Sequence, residues 1–174
     1  MKAVEFTFDR FTKKIHIKAP IEKLYSNWST SYGITQWFLS NADYTSSDGT
    51  LRNSKEEIQP GDHYVWKWHN WNGKEEGSIL QANGKDFIEF TFGKDACKVS
   101  VQLEEAKETT LLTLIQYDMA TDEETKMNLY NGCSCGWTFW LANLKAYLEH
   151  GILLNERDID LTDIPQAGHI FVNM

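Results

Sequence analysis

The sequence has little of what most function classes need. It lacks a positive balance: 17 Lys and Arg stand against 25 Asp and Glu, a formal net charge of -8. Phosphate contacts require cationic side chains, so nucleic acid and anionic membrane are disfavoured as partners. No run of about 18 apolar residues occurs, and no membrane-spanning helix is expected. The opening stretch, MKAVEFTFDRFTKK, has no continuous apolar core of the kind a signal peptide carries. Cysteine is scarce. Three thiols, an odd number without framework spacing, suit a reducing cytoplasm rather than a disulfide scaffold. No Ser-His-Asp order, phosphate-binding glycine loop or helical His pair is present. There is no internal repeat and no low-complexity linker, and 174 residues fit one domain.

What the chain does hold is rings: seven Trp, seven Tyr and nine Phe. Such an excess implies a core or a binding cavity lined largely by aromatic side chains. The apolar pattern along the chain supplies the frame. VEFTFDRFTKKIHIKA alternates, and Phe11, Ile15 and Ile17 predict a long first strand. Pro20 is placed as the first residue of a short helix in which Ile21, Leu24, Tyr25 and Trp28 recur at helical spacing. A second short helix, made irregular by Gly33, follows around SYGITQWFL. From Asp43 to Met119 the pattern changes to five or six strands, with tight turns expected at Asp48-Gly49, Asn72-Gly73 and Asn83-Gly84. In one of these strands Cys97, Val99, Val101 and Leu103 share a face, as in an antiparallel meander with one buried side. Thr121 to Glu124 has the form of a capping box opening a final helix that runs to about His150 and stops at Gly151. That helix is the only element long enough to cover the apolar face of the sheet. The pattern therefore predicts an α+β fold, a curved antiparallel sheet around a long C-terminal helix, with two short helices after the first strand.

Several of these stretches resemble a known family. IKAPIEKLYSNWSTSYGITQWF is similar to the N-terminal signature of START-like proteins of the SRPBCC superfamily. GWTFWLANLKAYLEHG resembles the matching C-terminal signature, and QPGDHYVWKW sits where the family has a Gly pair or Gly-Asp before a central strand. The combination is most similar to the AHSA branch, named for activators of the 90-kDa heat-shock-protein ATPase. The resemblance spans about residues 8 to 151, so residues 1–151 are taken as a START-like domain and 152–174 as a C-terminal extension packed on it or extending from it. It implies the helix-grip (Bet v 1-like) fold with a hydrophobic cavity between sheet and helix. The superfamily includes lipid carriers, hormone receptors, polyketide cyclases and chaperone activators, so fold does not fix function. The expectation is a small cytoplasmic module that binds a hydrophobic or amphipathic small molecule. The alternatives are a chaperone-associated interaction protein and a cyclase or hydrolase using the same cavity. No cofactor is expected.

The candidate cavity residues are Trp28, Trp37, Tyr64, Trp66, Trp68, Phe90, Trp137 and Leu141. Tyr64, Trp66 and Trp68 alternate on one strand face, and Trp71 lies at its turn. The competing reading makes them a plain core wall. Glu89 or Asp118 could be an acid or base if buried, and is otherwise an exposed strand charge. Cys133 and Cys135 lie on the final helix, where residues two apart point about 200° away from each other. They cannot grip one ion, and Gly132 and Gly136 beside them either allow close packing or leave room for a ligand. The buried stripe of that helix is Trp137, Trp140 or Leu141, Leu144 and Leu148. His63 and His69 are read on one strand, about 20 Å apart, too far to share a metal. Elemental analysis of the purified protein is therefore expected to find no stoichiometric zinc or iron. One tightly bound ion per chain would overturn this reading of the final helix.

Overall fold

The computed structural model describes residues 7–93 and 97–174. Seven strands form one antiparallel sheet in the order β1-β7-β6-β5-β4-β3-β2. They are β1 (Phe11–Ile17), β2 (Asn41–Thr45), β3 (His63–Lys67), β4 (Glu75–Ala82), β5 (Phe87–Thr91), β6 (Lys98–Ala106) and β7 (Thr109–Tyr117). The last six run as a meander, and β1 closes the sheet on the far side of β7. Helices α1 (Ile21–Ser29) and α2 (Ser31–Thr35) follow β1. After β7 come α3 (Glu123–Thr125), a π-helical turn (Lys126–Tyr130), α4 (Asn131–His150) and the short α5 (Ala167–Ile170). This is the helix-grip arrangement expected from the sequence: a curved sheet, a long helix on its concave face, and two short helices at one end.

The details correct several expectations. The first strand begins only at Phe11, because residues 8 and 9 turn instead of continuing the alternation, and residues 1–6 lie outside the described residues. Pro20 is the N-cap of α1 rather than its first helical residue, with extended backbone at ψ 152°. The final helical segment is capped by Asp122, whose side chain accepts from the Thr125 N–H, one residue later than the expected capping box. Asn83-Gly84 does turn the chain, with the Asn83 side chain accepting from the backbone of 85, 86 and 87. Asn72-Gly73 does not carry the β3–β4 turn. There the left-handed residue is Asn70, at φ 60°. His69 lies beyond the end of β3, within that turn.

Gly33 is demanded by close approach. A Cβ there would stand 2.2 Å from the Ser26 carbonyl oxygen. The elbow between α1 and α2 is tied by Thr30, whose hydroxyl donates to Ser26 O and accepts from Gly33 N. This elbow drives Trp37, Phe38 and Leu39 into the interior, where all three are buried. The inward faces of β6 and β7 present Val99, Val101, Leu103, Leu112 and Leu114, with Cys97 just before β6 continuing the same parity, all buried as alternation predicts.

On α4 the buried residues are Trp137, Trp140, Leu141, Asn143 and Leu144, while Leu148 is half-buried. Gly151 ends the helix in the left-handed conformation at φ 68°. Trp137 spans from helix to sheet: its indole N–H donates to Gln116 Oε1 at 2.9 Å. Gln116 is itself fully buried on β7, and its amide nitrogen lies 3.3 Å from Cys97 Sγ. Replacing Trp137 by Ala removes a buried ring and orphans a buried acceptor. The expected loss is about 3–5 kcal/mol in denaturant melts. A loss below about 1 kcal/mol would remove Trp137 from the core.

Candidate functional site

Strand parity determines which side chains can face the helix. On β3 Tyr64 and Trp66 point inward, and on β4 Gly77 and Glu75 stand opposite them in register. Glu75 is therefore a carboxylate on the concave, aromatic side of the sheet. One of its oxygens accepts from the Gly93 N–H at 2.7 Å. Burial raises its pKa, the Gly93 hydrogen bond partly offsets this, and the neighbouring Glu76 charge adds to the rise.

Beside Glu75 lies a groove of about 460 Å³. Its lining is Trp68, His69, Trp71, Glu75 and Phe92 from the sheet side, Gly132 from the first turn of α4, and Gly168 and Met174 from the C-terminal segment. Three rings and a thioether make it mainly apolar. Trp68 meets Trp71 at 5.5 Å between ring centroids and Phe92 at 6.5 Å, each at 66°. Gly73 seats the Trp71 ring, which occupies the place a Cβ at residue 73 would take, 2.2 Å from Cζ2. Burial lowers the pKa of His69, and the nearby Arg157 charge lowers it further. A larger depression of about 510 Å³ lies between the start of α1 and the β6–β7 hairpin. Its lining mixes Lys18, Glu22, Glu105, Lys107 and Glu108, which water satisfies, so its size does not make it the better site.

The eight residues expected around a cavity divide unequally. Trp28, Trp37, Tyr64, Trp66, Phe90, Trp137 and Leu141 are all buried. The rings among them pack on one another, with centroids 4.9 Å apart for Trp28 and Trp37 and 4.2 Å for Tyr64 and Trp66. Phe38, which sequence reasoning did not single out, joins both ends of this cluster. It contacts Trp37, Trp66, Trp68, Trp137 and Trp140. Of the eight, Trp68 lines the groove. Trp71, read from the sequence as lying at the turn, also lines it and is 48% accessible.

Glu89 and Asp118 are not part of this site. Glu89 lies on the outer face of the sheet, bonded by Tyr117 and Gln81, and Asp118 is exposed and pairs with Lys98 at 2.8 Å. Glu75 was missed, although parity from Ile79 through Gly77 was available to find it. Gly132 and Gly136 are not close-packing residues. A Cβ on either would meet nothing within 4 Å, and Gly132 opens onto the groove. Among the described residues, no cluster of three or more His, Cys, Asp or Glu could hold a metal.

The C-terminal segment forms one wall of the groove and is tied to the domain through the side-chain amides of buried Asn143 and half-buried Asn70. Asn143 donates to Trp37 O and to Asn155 Oδ1, and accepts from the Leu154 N–H at 2.6 Å. Asn70 donates to Glu156 O and accepts from the Leu161 N–H.

The fold and the groove together define a class: a helix-grip domain with an aromatic site at one end of its helix. Residues 18–149 match the family described as activator of Hsp90 ATPase homolog 1-like protein, and the chain belongs to that family. No curated protein sequence matches it significantly. Among solved structures, it is similar to the Aha1 dimer from Colwellia psychrerythraea. The TM-score is 0.65 at 17% identity, over 82% of this chain and 97% of that one. A protein from Staphylococcus saprophyticus gives a TM-score of 0.66 at 20% identity, over 85% and 97% of the two chains. CalU16 from Micromonospora echinospora gives 0.59 at 18% identity, over 82% and 77%. Among the described residues, no helix is long and apolar enough to cross a membrane.

The thiols can be ranked. Cys135 is exposed and Cys133 half-buried. Burial pushes the Cys133 thiol up to about 11, with a Gln116 hydrogen bond pulling the other way. At pH 8 this leaves about a hundredfold less thiolate than a pKa of 9.0 would allow, and thiolate is the reactive form. Iodoacetamide at pH 8 should therefore alkylate Cys135 well before Cys133. Peptide mapping that shows equal rates would contradict the half-buried placement of Cys133.

Proposed function

We propose that this protein binds a hydrophobic or amphipathic small molecule. The observation that carries the reading is the aromatic groove of about 460 Å³ where the sheet meets the start of α4. Its size is in the range of small-molecule sites, and its mixture of rings with a few polar groups is what such sites use. Trp68 contacts the ligand directly in this reading. The buried rings Trp28, Trp37, Tyr64, Trp66, Phe90 and Trp137, with Leu141, form the stiff support behind it. The setting we propose is cytoplasmic, in keeping with three free cysteines.

A second reading is association with a chaperone, as the family description suggests. It is favoured by the exposed apolar side chains Ile159, Ile170 and Val172 in the C-terminal segment. Stimulation of a heat-shock ATPase that is lost when these three become Ser would support it.

Gly132→Leu tests the first reading. Leucine should fill the groove while favouring the helix by about 1 kcal/mol or less, since glycine is a poor helix former. The variant should melt at or above the parent temperature and lose binding of apolar probes that shift Trp fluorescence. Undiminished binding would place the ligand elsewhere.

A further inference from the structure

The groove is lined by one acidic side chain among aromatic rings, and its imidazole, His69, is held toward the neutral form by burial. None of its lining residues is Lys or Arg. Among the described residues, the nearby cations are committed to other groups: Lys74 pairs with Glu76 at 3.0 Å, and Arg157 donates to Gln36 O at 3.3 Å. Glu75 keeps one oxygen on Gly93, and the other has no partner among the described residues. The three rings are set at steep angles, Trp68 meeting both Trp71 and Phe92 at 66°. Such a corner surrounds a compact head from more than one side. It is not the parallel slot that a flat aromatic ligand would fill.

Resting on the binding function proposed above, we infer that the groove selects an organic cation, a protonated or quaternary amine carried on an apolar body. Its head lies among Trp68, Trp71 and Phe92, and its charge is answered by Glu75. Ring faces carry negative potential and attract cations, most strongly where water is thinned. A half-buried carboxylate adds a Coulombic attraction larger than it would have in bulk water. The same burial that opposes ionisation of Glu75 is offset when a cation arrives. A neutral molecule gains neither term, and an anion meets Glu75 together with a chain of net charge -8.

Three octyl compounds of matched chain test this: octyltrimethylammonium, 1-octanol and octanoate, below their micelle concentrations, followed by calorimetry and Trp fluorescence. The ammonium compound should bind about tenfold tighter than the alcohol or better, and octanoate weakest. Glu75→Gln keeps a carbonyl for the Gly93 N–H and should erase that preference while leaving octanol affinity in place. Glu104→Gln makes the same charge change at an exposed position of β6 and should leave the preference intact, separating local contact from the field of the whole chain. Trp71→Leu, at a half-exposed residue, should weaken the ammonium compound more than octanol. Equal binding of ammonium and alcohol, or a preference that survives Glu75→Gln, would overturn the cation and leave the groove standing. If none of the three binds, or if Gly132→Leu binds them undiminished, the groove reading falls and the cation with it.

Discussion

One buried amide organises the contact between sheet and helix. Gln116 stands on β7 with no exposure to solvent, its oxygen taken by the Trp137 indole and its nitrogen beside Cys97. A buried amide left without partners is costly, so this bond resists rotation of α4 about its own axis. With α4 held, Trp137 lies against Trp28, Phe38 and Phe92. Phe38 then ties those rings to Trp66 on the sheet and Trp140 on the helix. Aromatic side chains bury much area with few rotatable bonds, so a network of this kind makes a stiff interior.

That stiffness decides where open space remains. The middle of the sheet–helix interface is occupied by rings. The open end is where α4 starts, and there the chain places Gly132 just after a π-helical turn at Lys126–Tyr130. π-Helical segments recur near functional sites, where they alter the course of a helix for local reasons. The site is thus a gap left at the edge of a filled core, with the core as its floor.

The fold was legible in the sequence because its two periodicities are strong. Alternation in the stretch from Cys97 to Leu103 and the stripe from Trp137 to Leu144 each name one buried face, and the fold needs only that they meet. The site was legible only in part. Trp68 and Trp71 stood out as rings near a turn, whereas Glu75 did not, because Gly77 has no side chain to mark the inward face of β4 between Glu75 and Ile79, and Glu76 beside it looks alike in sequence. The turn at Asn72-Gly73 misled because the glycine there answers to the Trp71 ring and not to the backbone. Asn143 was hidden on an apolar stripe, where a polar residue signals a long-range partner that a local pattern cannot identify.

The Asn143 contacts also bear on where the unit ends. The family match stops at residue 149, yet this asparagine lies inside it and directs its hydrogen bonds outward to 154 and 155. A chain ended at residue 149 would retain every strand and nearly all of α4, but it would strip a buried amide of two partners at once. In evolutionary terms the extension is not a free appendage. Residue 143 and the segment around 155 must change together, so swapping tails between relatives calls for exchanging that helix position as well.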